Sequence, residues 1–144
     1  MSLFSVLSIG SSGMAAQRAR AELLAENLAN AETTRTPEGG PYRRKDVVFA
    51  STEIDSPFAS AFSRELEAAG GVAVGDVITD MRDPELRYLP GHPDADAEGY
   101  VAFPRVNPAE DMVDLMGATR GYEANVASIS AAKDMIERSL DLLK

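Results

Sequence analysis

The chain has 144 residues, a formal net charge of −9 and no cysteine. The absence of cysteine excludes disulfides and thiolate metal sites. The negative charge argues against a nucleic-acid partner, whose phosphates attract Lys and Arg. Aromatic residues make up 6% of the chain and Trp is absent, so any core must consist mainly of aliphatic side chains. No apolar run reaches the ~18 residues that a transmembrane helix needs.

The N-terminal segment has a helical pattern of apolar residues. Alternating strides of three and four connect Leu3, Leu7, Gly10, Met14, Gln17, Ala21, Leu24 and Leu28. This spacing predicts an amphipathic helix. Because Gly10 and Gly13 weaken a helix, we expect it to run from about Ser12 to Ala31, with the upstream residues ordered only on binding. The first basic residue is Arg18, whereas a cleavable signal begins with positive charge, so we expect no cleaved signal peptide.

The C-terminal segment repeats the pattern more strongly. The same strides connect Met112, Leu115, Thr119, Tyr122, Val126, Ile129, Lys133, Ile136, Leu140 and Leu143. This is a heptad seam that continues to the end of the chain. Asn107 is a predicted N-cap, Pro108 suits the first helical position, and Glu110 follows in the first turn.

Neither helix can bury its seam alone, since isolated helices are marginal in water. The two seams pair with each other in one molecule, or they also pack against other copies, and the pattern favours neither alternative. Gly117 and Gly121 lie off the seam of the second helix. They are either tolerated there or form a second packing face of small residues.

The middle of the chain changes to a strand period. Strands are predicted over 42–49, 70–80, 85–89 and 99–103, and a short helix or irregular insertion over 56–69, where Phe58, Phe62 and Leu66 recur every four residues. The predicted fold class is α+β, with long terminal helices paired as an antiparallel coiled coil and a small antiparallel β-rich module between them. The predicted divisions are 1–35, 36–105 and 106–144, the two helices forming one discontinuous domain.

One stretch, residues 91–103, has the composition of a catalytic or metal site. Asp94, Asp96 and Glu98 match the first positions of a calcium loop, but Arg105 stands where that loop needs a bidentate Glu. His92 is the only histidine, so a transition-metal site would be weak. We therefore predict a polar hairpin turn whose carboxylates bond backbone amides, and no enzyme, cofactor or small-molecule substrate.

Four blocks of sequence, in order, are similar to the bacterial flagellar axial family of rod and hook proteins. They are SGMAAQRARAELLAENLANAETT, PYRRKDVVF, YLPGHPDADAEGYVAFPRVN and VNPAEDMVDLMGATRGYEANVASISAAKDM. Asn27 and Asn30 fall on the family's N-terminal motif, and Tyr122 to Asn125 on its C-terminal one. The middle blocks resemble proximal rod subunits more than distal rod or hook subunits, which remain an alternative.

The resemblance implies a structural subunit of the basal-body rod. Such a subunit is exported by the flagellar type III apparatus without a cleaved signal, and it assembles in the periplasm with its own copies and other rod proteins. The expected assembly interface comprises Met14, Ala21, Leu24, Asn27, Leu28, Asn30, Met112, Leu115, Tyr122, Asn125, Val126, Ile129, Ile136, Leu140 and Leu143. We expect Asn30 to end its helix in a left-handed conformation, and Asn27 and Asn30 to fix register between helices.

Two other functions stay open from the residues alone. One is a small metal-dependent hydrolase that uses His92, Asp94 and Asp96. The other is a protein held at a membrane surface by its amphipathic termini, although the acidic net charge opposes it.

Overall fold

A computed structural model describes residues 3–53 and 70–141. In chain order its elements are helix α1 (Leu3–Ala29), strands β1 (Lys45–Glu53), β2 (Gly70–Thr79), β3 (Glu85–Tyr88) and β4 (Tyr100–Phe103), and helix α2 (Pro108–Asp141). The predicted α+β class, with long terminal helices and short antiparallel strands between them, is confirmed. The helix or insertion predicted over 56–69 and the seam residue Leu143 lie outside the described residues.

The two helices pack side by side in opposite directions. Gly10, near the start of α1, lies against Ile129, far along α2. Arg20, farther along α1, forms an ion pair of 3.6 Å with Asp114, near the start of α2. The antiparallel pairing predicted from the sequence is therefore present within one chain.

The predicted start of α2 agrees with the structure, whereas the predicted start of α1 does not. The Asn107 side chain accepts a hydrogen bond from the amide of Ala109 at 3.2 Å, which confirms the predicted N-cap. The expected start of α1 near Ser12 is wrong, because the helix already includes the residues from Leu3 onward. Packing of the Gly10 backbone against α2 compensates for the low helix propensity that motivated the later start.

Strands β1 and β2 form an antiparallel ribbon with an irregularity between Val48 and Phe49. The amide of Asp80 donates to the carbonyl of Arg44 at 2.8 Å and continues the ladder past the strand ends. The strand predicted over 42–49 begins instead at Lys45, since the amide of Tyr42 bonds the carbonyl of Thr33 in the preceding loop.

Strands β3 and β4 pair separately, so the described parts of the middle of the chain form two two-stranded sheets rather than one set. A two-stranded sheet is marginally stable alone. A small core supports them where α1 ends and α2 begins; its buried apolar side chains include Leu24, Tyr42, Val101, Phe103 and Val106. None of the helices that the structure describes has the length and apolarity needed to cross a membrane.

Candidate assembly surface

Asn27 joins helix α1 to the start of β1. Its side chain is completely buried. The amide oxygen accepts hydrogen bonds from the Tyr42 hydroxyl at 2.9 Å and from the Lys45 amide at 3.0 Å, and the amide nitrogen donates to the Lys45 carbonyl at 2.8 Å. Asn27 thus pairs with the outer edge of β1 as a neighbouring strand would. An amide is the one side-chain group that supplies a donor and an acceptor in this geometry.

A second polar contact holds the other end of the ribbon. The Ser12 hydroxyl oxygen accepts a hydrogen bond from the amide of Val72 at 3.1 Å, and Val72 is paired with Ser51 of β1. From Ser12 to Asn27 the helix rises about 22 Å at 1.5 Å per residue. From Lys45 to Ser51 the strand rises about 20 Å at 3.3 Å per residue. The matching lengths show that the ribbon lies along α1.

A buried ion pair lies next to Asn27, at the start of α2. The Arg44 guanidinium donates to the Asp111 carboxylate at 2.9 Å, and the Asp111 side chain is 1% exposed. The second Asp111 oxygen and the Arg44 Nε have no hydrogen-bond partner in the described part of the chain. Burial raises the pKa of Asp111, and the nearby Arg44 opposes that rise. Removing Arg44 alone would therefore leave an uncompensated buried carboxylate.

The Tyr42 hydroxyl belongs to the same junction. Burial, with a smaller contribution from the nearby Glu26 carboxylate, raises the pKa of Tyr42 to about 12. The hydroxyl therefore stays protonated and donates to Asn27 over the whole neutral range. Lys45 adds an ion pair to Glu26 at 2.6 Å on the surface of the junction.

Asn30 ends α1 in a different way from the one expected. The described residues include no non-glycine residue with positive φ, so the predicted left-handed Asn30 is wrong. Its side-chain amide donates to the Glu26 carbonyl at 2.9 Å and its oxygen accepts from the Thr33 hydroxyl at 3.2 Å. These bonds satisfy groups at the helix end, where backbone carbonyls lose their partners. Neither Asn27 nor Asn30 bonds α2, so the proposed register role between helices has no support within one chain.

The contact between α1 and α2 depends on glycines. A Cβ on Gly10 would lie 2.8 Å from an Ile129 carbon, and one on Gly13 would lie 3.0 Å from the Asn125 amide. On the other helix, a Cβ on Gly121 would lie 3.0 Å from Gln17. These glycines let the helix backbones approach closely. Gly121 therefore serves the pairing within the chain, whereas Gly117 faces open space.

The predicted interface residues fall into two groups. The first group lies in contacts within the molecule: Leu24, Asn27, Asn30, Asn125 and Ile129. Ile136 is partly buried. The second group is half-buried or exposed and lies along the edges of the helix pair: Met14, Ala21, Leu28, Met112, Leu115, Tyr122, Val126 and Leu140. The buried positions of α2 are Asp111, Ala118 and Ala132. These buried positions of α2 each precede a predicted seam residue by one, an offset of about 100°. The seam residues Gly10, Gln17 and Ile129 do lie in the helix contact.

On α1, the second group lies opposite the ribbon. Ala21 follows Ser12 by nine residues, which at about 100° per residue is half a turn away from the ribbon contact. On α2, the second group lies beside the contact with α1. Val126 is about 60° around the helix from Ile129 and about 100° from Asn125, both of which lie against glycines of α1. We call this combined surface, on both helices, the free face.

The loop 89–99 is the polar hairpin turn predicted from the sequence. Asp96 accepts hydrogen bonds from the amides of Glu98 at 3.1 Å and Tyr100 at 2.7 Å. Asp94 accepts from the Thr34 hydroxyl at 2.8 Å. His92 Nδ1 accepts from the Asp94 amide at 3.1 Å. These side chains serve the turn, and no group of three metal-ligating residues occurs among residues 3–53 and 70–141.

Sequence reasoning missed the junction at the end of α1. It named Asn27 but not Ser12, Tyr42, Arg44 or Asp111, whose contacts link positions 15 to 67 residues apart. The one available signal was Asp111, an acidic residue expected at a helix start. Nothing local indicated that it is buried.

Known protein families match the chain at both of its ends. The family described as "Flagella basal body rod protein" matches residues 7–35, and the family described as "Flagellar basal body rod FlgEFG protein C-terminal" matches residues 97–142. Over the whole chain, the flagellar basal-body rod protein FlgC of Bacillus subtilis is 41% identical, covering 100% of both chains. FlgC of Borreliella burgdorferi is 39% identical over 100% of this chain and 99% of the relative. The chain belongs to the FlgC family.

Membership of the FlgC family establishes the function of the chain and its location in the cell. It is a structural subunit of the flagellar basal-body rod, and it is located in the basal body. The FlgC of Salmonella typhimurium, 39% identical over 99% of this chain and 98% of the relative, belongs to the same set. The agreement with FlgC proteins extends over the full length of the chain and supports a FlgC-type rod subunit over the distal rod and hook alternative. Rod proteins of this kind assemble with other rod components.

Proposed function

We propose that the free face is the surface through which this FlgC-type subunit joins its neighbours in the rod, both copies of itself and other rod proteins. The observation that supports this proposal is the exposure of large apolar side chains on the free face. Between 41% and 57% of the surface is exposed at Met112, Tyr122, Val126 and Leu140. Scattered apolar residues are ordinary on a protein surface, but a contiguous patch of them indicates an interaction site.

Apolar burial on this face would contribute to the free energy of assembly. Covering a Val- or Leu-sized side chain contributes roughly 1.5–3 kcal/mol when it becomes fully buried. Because these side chains are already about half covered, each contributes on the order of 1 kcal/mol in a neighbour's contact. Several such side chains together offset part of the entropy lost on association.

The proposal also covers the export route of the subunit and the division of the chain into an axial unit and an outer module. Export by the flagellar type III apparatus suits a chain with no cysteine, which cannot be locked by disulfides in the periplasm. The helical parts, 1–35 and 106–144, would form the axial unit, and 36–105 the outer module. We infer no catalytic role, since Asp96 and His92 bond backbone amides of loop 89–99 and Asp94 bonds the Thr34 hydroxyl.

The test is a charge placed on the free face, with a matched charge elsewhere on the same helix. Val126→Glu should fold, as judged by circular dichroism, but should be absent from isolated basal bodies and should not restore swimming to a strain lacking the native chain. Ala131→Glu adds the same charge at an exposed α2 position away from the free face and should restore both. Incorporation of Val126→Glu at the normal level would overturn the proposal.

A further inference from the structure

The β3–β4 hairpin has an exposed face that the helix pair does not use. Leu86 and Tyr88 of β3 are 62% and 63% exposed, and Tyr100 of β4 is 43% exposed. Tyr88 pairs with Tyr100 across the strands, and their rings meet edge to face with centroids 5.4 Å apart. Tyr is enriched where protein surfaces meet. This aromatic face therefore has the composition of an interface.

The open end of this hairpin carries arginines. Arg43, Arg44, Arg82 and Arg105 line one shallow cleft with Asp80. Arg44 pairs with Asp111, and Arg82 with Asp80.

Two of the four guanidinium groups lack a carboxylate partner. Arg43 donates only to the backbone carbonyls of Asp80 and Arg82, and no ion pair within the described residues includes Arg105. We call Arg43, Arg82 and Arg105 the arginine base; it is a local positive site on a chain whose net charge is −9.

The closed end of the same hairpin is acidic. Asp94, Asp96 and Glu98 form what we call the acidic tip, near which Arg35 lies at 3.8 Å from Asp94. The turn is held in one conformation: Gly99 has φ +85°, and a Cβ there would lie 2.9 Å from the Tyr88 ring. The base and the tip are separated by at least the length of β3, about 10 Å. This exceeds the Debye length of about 8 Å at physiological salt, so the two ends do not neutralise each other within one molecule.

We propose that this hairpin docks onto the hairpin of a second copy, with the acidic tip of one copy at the arginine base of the next. This inference rests on the proposed role as an assembling rod subunit and names a second contact for it. Charge complementarity favours an identical chain as the occupant. The tip of one copy carries three carboxylates, and the base of the next lies in a cleft where Arg43 and Arg105 have no carboxylate partner within the described residues. The tip-to-base contact is head-to-tail, so each copy keeps one free tip and one free base. Such contacts do not close on themselves and suit a growing rod.

The experiment measures self-association of the full chain by sedimentation velocity at about 0.01 M and 1 M salt. The wild-type chain should associate more weakly at high salt, where the Debye length falls to about 3 Å. Arg105→Glu and Glu98→Arg should each weaken association at low salt by about tenfold or more. The double variant Arg105→Glu/Glu98→Arg should restore it, because the swapped charges again attract. Circular dichroism checks that each variant is folded.

A matched variant separates this contact from a simple effect of net charge. Arg105→Glu/Glu22→Arg has the same net charge as the double variant, but its arginine is on an exposed part of α1 off the free face, so association should stay weak. Rescue by both pairs, an unchanged Arg105→Glu, or wild-type association that is absent or insensitive to salt would each overturn the hairpin contact. Failure of the charge swap leaves the free face unaffected, since its own test is Val126→Glu in basal bodies. Absence of wild-type association would count against both contacts between copies.

Discussion

Replacement of Asn27 by Ala tests the junction between α1 and the ribbon. The change removes three hydrogen bonds and leaves the Tyr42 hydroxyl and both backbone groups of Lys45 without their partner. At about 0.5–1.5 kcal/mol for each net hydrogen bond, we expect a loss of about 2–4 kcal/mol in the free energy of unfolding. For a chain of this size about 3 °C of melting temperature corresponds to 1 kcal/mol, so thermal denaturation should show a fall of about 6–12 °C.

Asn30→Ala is the matched control for this change. It gains the same helix propensity as Asn27→Ala but loses only bonds at the partly exposed helix end, so its cost should stay below about 1 kcal/mol. Amide hydrogen exchange gives a direct readout, because the Lys45 amide should lose protection in Asn27→Ala and keep it in Asn30→Ala. Equal stabilities of the two variants, or unchanged exchange at Lys45, would refute the assignment of Asn27 as the junction.

The remaining predictions concern the glycines and the tyrosine. Gly117→Ala should raise the free energy of unfolding by about 0.5–1 kcal/mol, since its Cβ meets open space and Ala favours a helix. Gly10→Ala should lower it despite the same gain, because its Cβ would lie 2.8 Å from Ile129; denaturant titration compares the two, and a stabilised Gly10→Ala would contradict the close helix contact. Because the pKa of Tyr42 is raised to about 12, the stability it contributes should be complete below pH 10 and lost as the pH rises toward 12. Tyr42→Phe should lose less stability than wild type over that range, and identical pH profiles would count against the buried hydroxyl.

Local patterns in the sequence were sufficient to predict the helices, the strands and the α+β class. The N-cap at Asn107 and the proline after it fixed the start of α2, because capping depends on neighbours within three residues. Four strands were expected and four are present among the described residues, with limits shifted by up to four residues. The turn around Asp96 was also predictable, since its carboxylate bonds amides only two and four residues away.

The contacts that join the elements could not be predicted in this way. Asn27 was marked by its low helix propensity, but its partners are 15 and 18 residues away, and its burial depends on where the ribbon lies. The buried Asp111 resembles any acidic residue of a first helical turn. The start of α1 was predicted too late because Gly10 has a low helix propensity. In the folded chain, the absence of a side chain at Gly10 lets α1 approach α2 closely.

The offset between the predicted apolar seam of α2 and its buried positions has a physical consequence for a single subunit. Hydrophobic periodicity identifies the largest aliphatic side chains, and those of the free face, such as Val126 and Leu28, do not lie where α1 meets α2. The contact relies on Gly10, Gly13 and Gly121, which let the helix backbones approach closely but bury little apolar area per residue. We therefore propose that folding and assembly use different faces of the same two helices. The lone helix pair is held by close packing and by the junction at Asn27, and its larger apolar side chains stay available for the neighbouring subunits that we propose cover them.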